Sequence, residues 1–404
     1  MNNIKPRLRV AFCSNHPSAS SGYAQQTADI KRMFLASGWD STNFALINMY
    51  GQNGYKYKDE DGIWNYPILN HVAGSDAMVW HGRHFGADIV IGLFDLWIQN
   101  PTDLQQIGRF IPWLPIDYDP VPQVILNNVR LANRIIAMSK FGQTQLKEHG
   151  ISSTYIPHHV DTDIFFPLDK KKRKAEVKID PSMFVFGMVS ANKDIMPRKS
   201  YGQVLEAFAR FHAKNPKSLL YIHTDPDFPG GYPMRSHVSY LKLDSAVGYP
   251  DKYKLRFDTP KTEMNMIYGS LDAYLMPSST EGFGITAIES QATGTPVIVN
   301  NYTSMPELVR ENKTGLITKT GCQHFMPVGG YMKYPDTNDL YEKMEQLYAS
   351  NLHEMGKNAH KWVKDNFALS KIWSENWLPF LSRIEEEIYG KPQTDQLTKP
   401  IATV

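Results

Sequence analysis

The chain has 404 residues, enough for two domains of ordinary size, with the apolar and charged fractions of a soluble globular protein. A formal charge of +2 gives no global pull toward a polyanion, and Cys13 and Cys322, far apart in sequence, argue against a disulfide framework or a thiolate metal site. The apolar run Val10 to Cys13 behind the basic N-terminus is too short for a signal-peptide core, and no run reaches bilayer-spanning length, so a reducing, cytoplasmic location is expected.

Leu8 to Ser14 is a β-type run, followed by a loop rich in small residues, Asn15 to Gly22. A helix follows with Tyr23, Thr27, Ile30 and Phe34 on one face, ending at Gly38. The loop lacks the GxGxxG spacing of a dinucleotide site, so an ordinary βα turn and a ligand-binding turn both stay open there. Further β-type runs lie at Asp88 to Phe94, Ile111 to Ile116 and Arg134 to Met138. The last leads through Ser139, a predicted N-cap, into a helix over Lys140 to His149 that Gly150 stops. A strand near Ile151 to Ile156 then ends in a polar turn. Strands alternating with helices predict a parallel sheet covered on both faces. The charged run Lys170 to Lys174 reads as a solvated linker and marks a domain boundary.

The pattern then restarts with a strand over Met183 to Val189, a polar loop to Lys199, and a helix over Tyr201 to Lys214. Strands are expected at Leu219 to His223, Tyr253 to Phe257 and Asp272 to Met276, with a helix from Thr262 to Gly269. Pro296 to Val299 reads as a strand, Pro306 to Arg310 as a short helix, and Gly321 to Tyr334 as a loop of unassigned role. Helices over Asp336 to Ala349, Leu352 to Asn366 and Ser370 to about Tyr389 close the fold, and the polar tail after Gly390 reads as disordered. The expectation is an α/β protein of two Rossmann-like domains facing a cleft. The first spans 1–168, with the terminal helix 370–390 crossing back to it; the second spans 175–369; the tail is 391–404. Loops at the carboxyl ends of the strands should carry the site.

The most informative stretch is Pro277 to Glu289, which runs from a β-prone segment through Ser278-Ser279-Thr280-Glu281-Gly282-Phe283-Gly284 into a helix over Ile285 to Ala292, closed by Gly294. A glycine loop feeding a helix start offers unpaired N–H groups and partial positive charge, so it can seat a phosphate. Glu289 falls in the helix's second turn, and helical side chains lean toward the N-terminus, so it can point back at whatever the loop holds. Carboxylates beside a phosphate suit neutral hydroxyls, which suggests the sugar of a nucleotide.

Glu281-Gly282-Phe283-Gly284 with Glu289, framed by Met276-Pro277-Ser278 and Gly294-Thr295-Pro296-Val297, resembles the retaining glycosyltransferases of the GT-B fold, family GT4 (glycosyl transferases group 1). Met305-Pro306-Glu307-Leu308-Val309 and Thr314-Gly315-Leu316-Ile317 continue the match. Ile156 to Asp161 looks like the family's Asn-Gly-Val-Asp turn, with His158 and His159 in place of Asn-Gly. The resemblance covers most of residues 8 to 375. It is strong in the second half and weak in the first, whose short form is reminiscent of viral and phage members.

The resemblance implies a UDP- or GDP-sugar donor in the second half, a hydroxyl acceptor held mainly by the first, and no cofactor. Lys193 and Lys199 match the family's diphosphate segment, with Lys193 where arginine is usual; lysine keeps the charge but not the bidentate fork. Gly282 and the backbone of Phe283, Gly284 and Ile285 should serve the diphosphate, as should Gly22 in the first βα loop. Glu289 should bind the ribose, and Glu281 should position the transferred sugar or stabilise its charge. Asp117 stands where the family often has a histidine and could take a sugar hydroxyl or the acceptor proton, or belong to a plain turn. His16, Asp95 and His159 are weaker candidates, buried satisfied polar residues being the default reading. The pairs Asp117/Asp119, Asp161/Asp163 and Asp225/Asp227 read as turns, so no metal site is assigned. Competing readings are a GT-B epimerase or phosphorylase and a nucleotide-sugar-binding protein without turnover. Acceptors range from glycans and small molecules to a hydroxymethylated DNA base, for which Lys170 to Lys174 could touch phosphate, although that run reads first as a solvated linker.

Overall fold

The computed structural model describes residues 8–390 apart from 18, 20, 46–55, 60, 61, 72, 194–196 and 258. The expected disorder of 391–404 lies outside the described residues. The fold is α/β, with mainly parallel sheets in two Rossmann-like domains. The chain divides into two compact units, one formed by Met1–Leu93, Gln99–Ile111 and Ser370–Val404, the other by Phe94–Ile98 and Pro112–Leu369. No helix among the described residues is long and apolar enough to cross a membrane.

In the first unit β1 (Arg9–Ser14), β2 (Asp40–Ala45), β3 (Tyr57–Lys58), β4 (Trp64–Tyr66) and β5 (Ile89–Gly92) lie in the order β3-β4-β2-β1-β5, parallel except at the β3 edge. Helix Gly22–Ala36 starts at Ser21, whose hydroxyl accepts from the Ala24 N–H. Its Phe34 packs against Phe12 and Trp39 and against Trp373 and Trp377 from the end of the chain. The terminal helix Leu378–Tyr389 is fixed in this unit by Glu385, which accepts from the Trp39 indole and the Leu8 N–H, and by Tyr389, which donates to Asp88. The expected return of the last helix to the N-terminal domain is thus present.

The division between units falls inside β6 (Phe110–Leu114); its end pairs in parallel with β7 (Ile136–Ala137), which pairs with β8 (Thr154–Tyr155). Ser139 caps helix Lys140–Glu148 by accepting from the Gly142 N–H, as expected. The second unit's main sheet is wholly parallel, in the order β11-β10-β9-β12-β13-β14. These strands are β9 (Phe184–Val189), β10 (Ser218–His223), β11 (Val247–Gly248), β12 (Ala273–Met276), β13 (Val297–Asn300) and β14 (Gly315–Thr318). Helix Tyr201–Lys214 covers one face with Val204, Leu205, Phe208 and Phe211, all fully buried. The chain runs outward from β9 to β11, then returns to lay β12 on the other side of β9. The order therefore reverses between β9 and β12.

Three local readings change. Tyr253 to Phe257 belongs to helix Lys252–Phe257, because the Asp251 carboxylate accepts from the Tyr253 and Lys254 N–H groups, and a cap of this kind favours helix over strand. Gly321 to Tyr334 is a hairpin of β15 (Thr320–Phe325) and β16 (Tyr331–Pro335), its second strand alternating between half-buried and buried positions at the period of a sheet. Lys170 to Lys174 is no solvated linker. It opens helix Lys170–Glu176, capped by Asp169, and Lys170 and Lys174 turn inward while Lys171 and Lys172 stay exposed. Lys174 is buried in an ion pair with Asp272 and also donates to the Met183 carbonyl. Lys170 donates to the Leu271 carbonyl and the Thr295 hydroxyl, both at 2.6 Å, and burial pulls its ammonium down to about 8. Long lysine stems pack along apolar surface, so a basic run need not be a solvated one.

Removing one partner of a buried ion pair strands the other, so Lys174→Ala should cost about 3 kcal/mol in guanidinium unfolding, while exposed Lys171→Ala should stay within about 0.5 kcal/mol. Equal effects of the two substitutions would contradict the packing described.

Candidate active site

In an open parallel sheet, ligands sit beyond the carboxyl ends of the strands where the order reverses. Here those ends are β9 and β12, and the loops that follow them, 190–200 and 277–284, carry the charged residues of the second unit's site.

Glu281 is the centre of this arrangement. It is buried, and its carboxylate is shared between Arg198, whose Nη1 donates to Oε2 at 2.7 Å, and Lys199, whose Nζ donates to Oε1. Burial pushes the carboxyl up, but the charges of Arg198 and Lys199 outweigh it and hold Glu281 at about 2. Arg198 also donates to the Thr280 carbonyl at 2.8 Å, and its own carbonyl accepts from the N–H and hydroxyl of Ser279. The two loops are therefore stitched into one surface by both backbone and side chain. Two cations face this carboxylate, and Asp117 and Asp95 also lie in the field of Arg198.

The loop's path needs its glycines. A Cβ at Gly282 would come within 2.3 Å of the Pro115 Cβ, and Gly284 has φ +115°, with Met276 Cε 2.7 Å from where a Cβ would stand. Gly284 is the N-cap of helix Ile285–Ala292 and makes no side-chain capping bond, so the helix start offers N–H groups to a ligand. On the other side Thr303 and Ser304 pin the loop. Thr303 Oγ1 accepts from the Glu281 N–H and donates to its carbonyl, and Ser304 Oγ donates to the carbonyls of Glu281 and Phe283. Ser200 (φ +58°) and Thr303 (φ +49°) hold left-handed conformations unfavourable for residues with a Cβ, a strain of about 1–3 kcal/mol each that the surrounding bonds sustain.

Glu289 is buried on the same helix and accepts from the Tyr268 hydroxyl at 2.9 Å. Tyr274, the middle of β12, lies in the field of both glutamates, and its hydroxyl donates to the Val189 carbonyl at the end of β9. Asp117 also belongs to the site. Desolvation, then the charge of Asp95, pushes its carboxyl up to about 7, with Glu281 adding to the rise and Arg198 opposing it. Asp95, Asp117, Arg198 and Glu281 thus form one electrostatic group. Phe283 packs edge-on against His158, at 5.3 Å between centroids, and His158 lies against Trp113. His159 is buried beside it, in a turn held by the Val160 N–H donating to Phe367 O.

Lys193 is exposed and lines a small cavity of about 130 Å³ with Arg198, Lys199 and Tyr201. Its neighbour Asn192 is occupied as a staple, bonding Asp225 O and Tyr232 O and accepting from Tyr232 N. Asp161 and Asp225 each accept from the N–H two residues on, closing turns, and Asp227 pairs with Arg235 and Lys252. Gly22 and His16 lie in the first unit. Gly22 is exposed at the start of helix Gly22–Ala36, and His16 is buried, its imidazole pulled down by desolvation and then by Lys31. A larger groove of about 660 Å³ around Arg310, Lys313 and Trp362 contains none of the residues above. The residue that sequence reasoning missed is Arg198. Its signal was its place beside Lys199, as the only arginine in the loop after β9.

Residues 169–326 match the family model of glycosyl transferases group 1. That stretch contains both loops and both glutamates. The D-inositol 3-phosphate glycosyltransferase of Segniliparus rotundus is 28% identical over 162 residues, 40% of this chain and 34% of that protein. The corresponding protein of Actinosynnema mirum is 30% identical over 166 residues, 40% and 38% of the two chains. The match spans little more than a third of the length of these relatives. Among solved structures, sucrose-phosphate synthase from Thermosynechococcus elongatus gives a TM-score of 0.75 at 16% identity, covering 93% of this chain and 98% of that one. HepE of Anabaena in complex with UDP and glucose gives 0.69 at 14%, covering 93% and 99%. The chain has the fold of the GT-B glycosyltransferases.

The Glu281 loop carries a pH signature. A carboxyl held at about 2 against an ordinary 4.5 contributes stability that is present above 4.5 and lost as pH falls toward 2. Glu281→Gln should therefore unfold about 3 kcal/mol more easily than wild type at about pH 6, with the gap closing between about 4.5 and 2. A gap that is constant over that interval in guanidinium unfolding would contradict the ion-pair geometry.

Proposed function

We propose that this protein is a retaining glycosyltransferase that moves a sugar from a nucleoside-diphosphate sugar to a hydroxyl acceptor, with fixed cations in the place a metal ion takes elsewhere. The observation that carries this reading is the Glu281 carboxylate set between Arg198 and Lys199 beside the uncapped helix start at Gly284, at the reversal of the sheet and within the group 1 match. HepE structures hold UDP and UDP-glucose, so a UDP-hexose is the first donor to test.

The diphosphate meets Arg198 and Lys199, with Lys193 at the cavity rim and the N–H groups of Phe283 to Ile285 as donors. Glu281 fixes both cations and faces the transferred sugar, and Glu289 takes ribose hydroxyls. The C1–O bond to the diphosphate breaks with its electron pair going to the phosphate oxygen, and the acceptor oxygen forms the new bond to C1 on the same face. Preorganised cations stabilise the charge that develops on the leaving group. The acceptor's proton passes to that phosphate oxygen, and Asp117, when ionised, holds the acceptor hydroxyl in line.

A panel of UDP- and GDP-sugars should yield slow nucleoside diphosphate release from one donor, cut roughly 100-fold or more by Glu281→Ala and by Lys199→Ala. Interconversion of sugars without release would indicate an epimerase instead, and binding of no donor would sink the reading. Because desolvation and Asp95 push the Asp117 carboxyl up to about 7, kcat/KM for transfer should rise with pH through neutrality, and Asp117→Asn should flatten that rise. A rise that persists in Asp117→Asn would remove Asp117 from the reaction.

A further inference from the structure

The hairpin β15/β16 is joined to the Asp117 loop by a single antiparallel bridge, Asp119 opposite Tyr331. The Tyr331 N–H donates to the Asp119 carbonyl at 3.2 Å. The return bond is completed by a side chain, since the Tyr302 hydroxyl accepts from the Asp119 N–H at 3.3 Å and donates to the Tyr331 carbonyl at 2.8 Å. Gly330 adds close packing, as a Cβ there would come within 2.4 Å of the Tyr118 Cβ. On its far side Tyr331 stands opposite Phe325 across the hairpin. Residues directly opposite one another in an antiparallel pairing present their side chains on the same face, about 5 Å apart. Asp119, Tyr331 and Phe325 therefore form one row across three chain segments.

That row sets two aromatic rings beside a carboxylate. Phe325 is 53% exposed and meets Tyr331 edge-on at 4.9 Å, and Asp119 is exposed beside them. An aromatic ring beside a carboxylate presents an apolar face and a hydrogen-bond acceptor side by side. The hairpin is also tied to the donor loop, for Lys333 of β16 donates its N–H to the Ser279 carbonyl, and the Asn300 amide bonds both Ser278 O and Lys333 O.

We propose that Asp119, Tyr331 and Phe325 form a platform for a pyranose ring of the acceptor, so that the acceptor is a neutral saccharide or glycoside. This rests on the glycosyltransferase reading and names its acceptor class. The aromatic rings take the apolar C–H face of the sugar, and the carboxylate takes its hydroxyls. Asp117, two residues before Asp119, is then within about 7 Å along the chain of the same ring. Charge decides between a sugar and a polynucleotide, whose bases could also stack. Asp95, Asp117 and Asp119 gather at this end of the unit, and Lys333 is drawn over the Tyr302 ring at 4.8 Å. A phosphate backbone would meet carboxylates there, whereas a neutral sugar meets hydrogen-bond acceptors.

Saturation-transfer NMR on the full chain, without donor, tests this with methyl glucosides, galactosides and mannosides, maltose, lactose and a thymidine oligonucleotide as probes. At least one neutral saccharide should receive saturation on its ring protons. Binding should weaken about tenfold in Phe325→Ala and in Asp119→Asn, persist in Phe325→Trp, and be unchanged in Tyr240→Ala, an exposed aromatic elsewhere. No saturation of any saccharide, full retention in Phe325→Ala, or preference for the oligonucleotide would overturn the proposal. Because sugar binding is read without donor, failure of wild type to hydrolyse any nucleotide-sugar would sink the transferase reading separately.

Discussion

The second unit's site depends on one carboxylate buried between two cations. A buried ion pair seldom adds net stability, because the cost of desolvating its charges roughly cancels their attraction. What the Glu281 group supplies is geometry. Its two oxygens fix Arg198 and Lys199 side by side, Arg198 in turn holds the Thr280 carbonyl and Ser279, and the loops after β9 and β12 become a single rigid surface. Desolvation and then Asp95 push Asp117 up to about 7, while Arg198 and Lys199 hold Glu281 at about 2, which separates the two carboxyls into one that stays ionised and one near neutrality. Pairs of acids driven apart in this way mark sites where protons are handled.

The backbone around this group is strained in a consistent pattern. Ser200 ends one loop and Thr303 braces the other, both with positive φ, and Gly284 between them has a conformation that only glycine adopts with ease. Strain at Ser200, which ends the loop of Arg198 and Lys199, and at Thr303, which bonds the Glu281 backbone, is more economically explained by a binding surface than by packing, since the same sheet is otherwise regular and parallel. The hairpin extends that surface rather than the core, being held by backbone bonds to Ser279 and Asp119 while its outer strand stays exposed.

Sequence alone was informative wherever the determinant is local. Helix Tyr201–Lys214, helix Ile285–Ala292 with Gly294 after it, and the Ser139 cap follow from periodicity and from residues within a turn of the boundary. What was missed depends on partners distant in the chain. Lys174 reads as solvated until Asp272, 98 residues on, is seen to bury it. Arg198 is one cation among several until Glu281, 83 residues on, selects it. The row Asp119, Tyr331 and Phe325 joins segments more than 200 residues apart through a bridge that no period in the sequence announces.

The central claim is that Arg198 and Lys199, fixed by Glu281, make a seat for a nucleoside diphosphate. Calorimetric titration of UDP and GDP into the full chain tests it most directly. The account predicts one-site binding of at least one of them, weakened at least about tenfold by Arg198→Ala and by Lys199→Ala. Equal affinity in wild type and both variants, or binding of neither nucleotide, would contradict it.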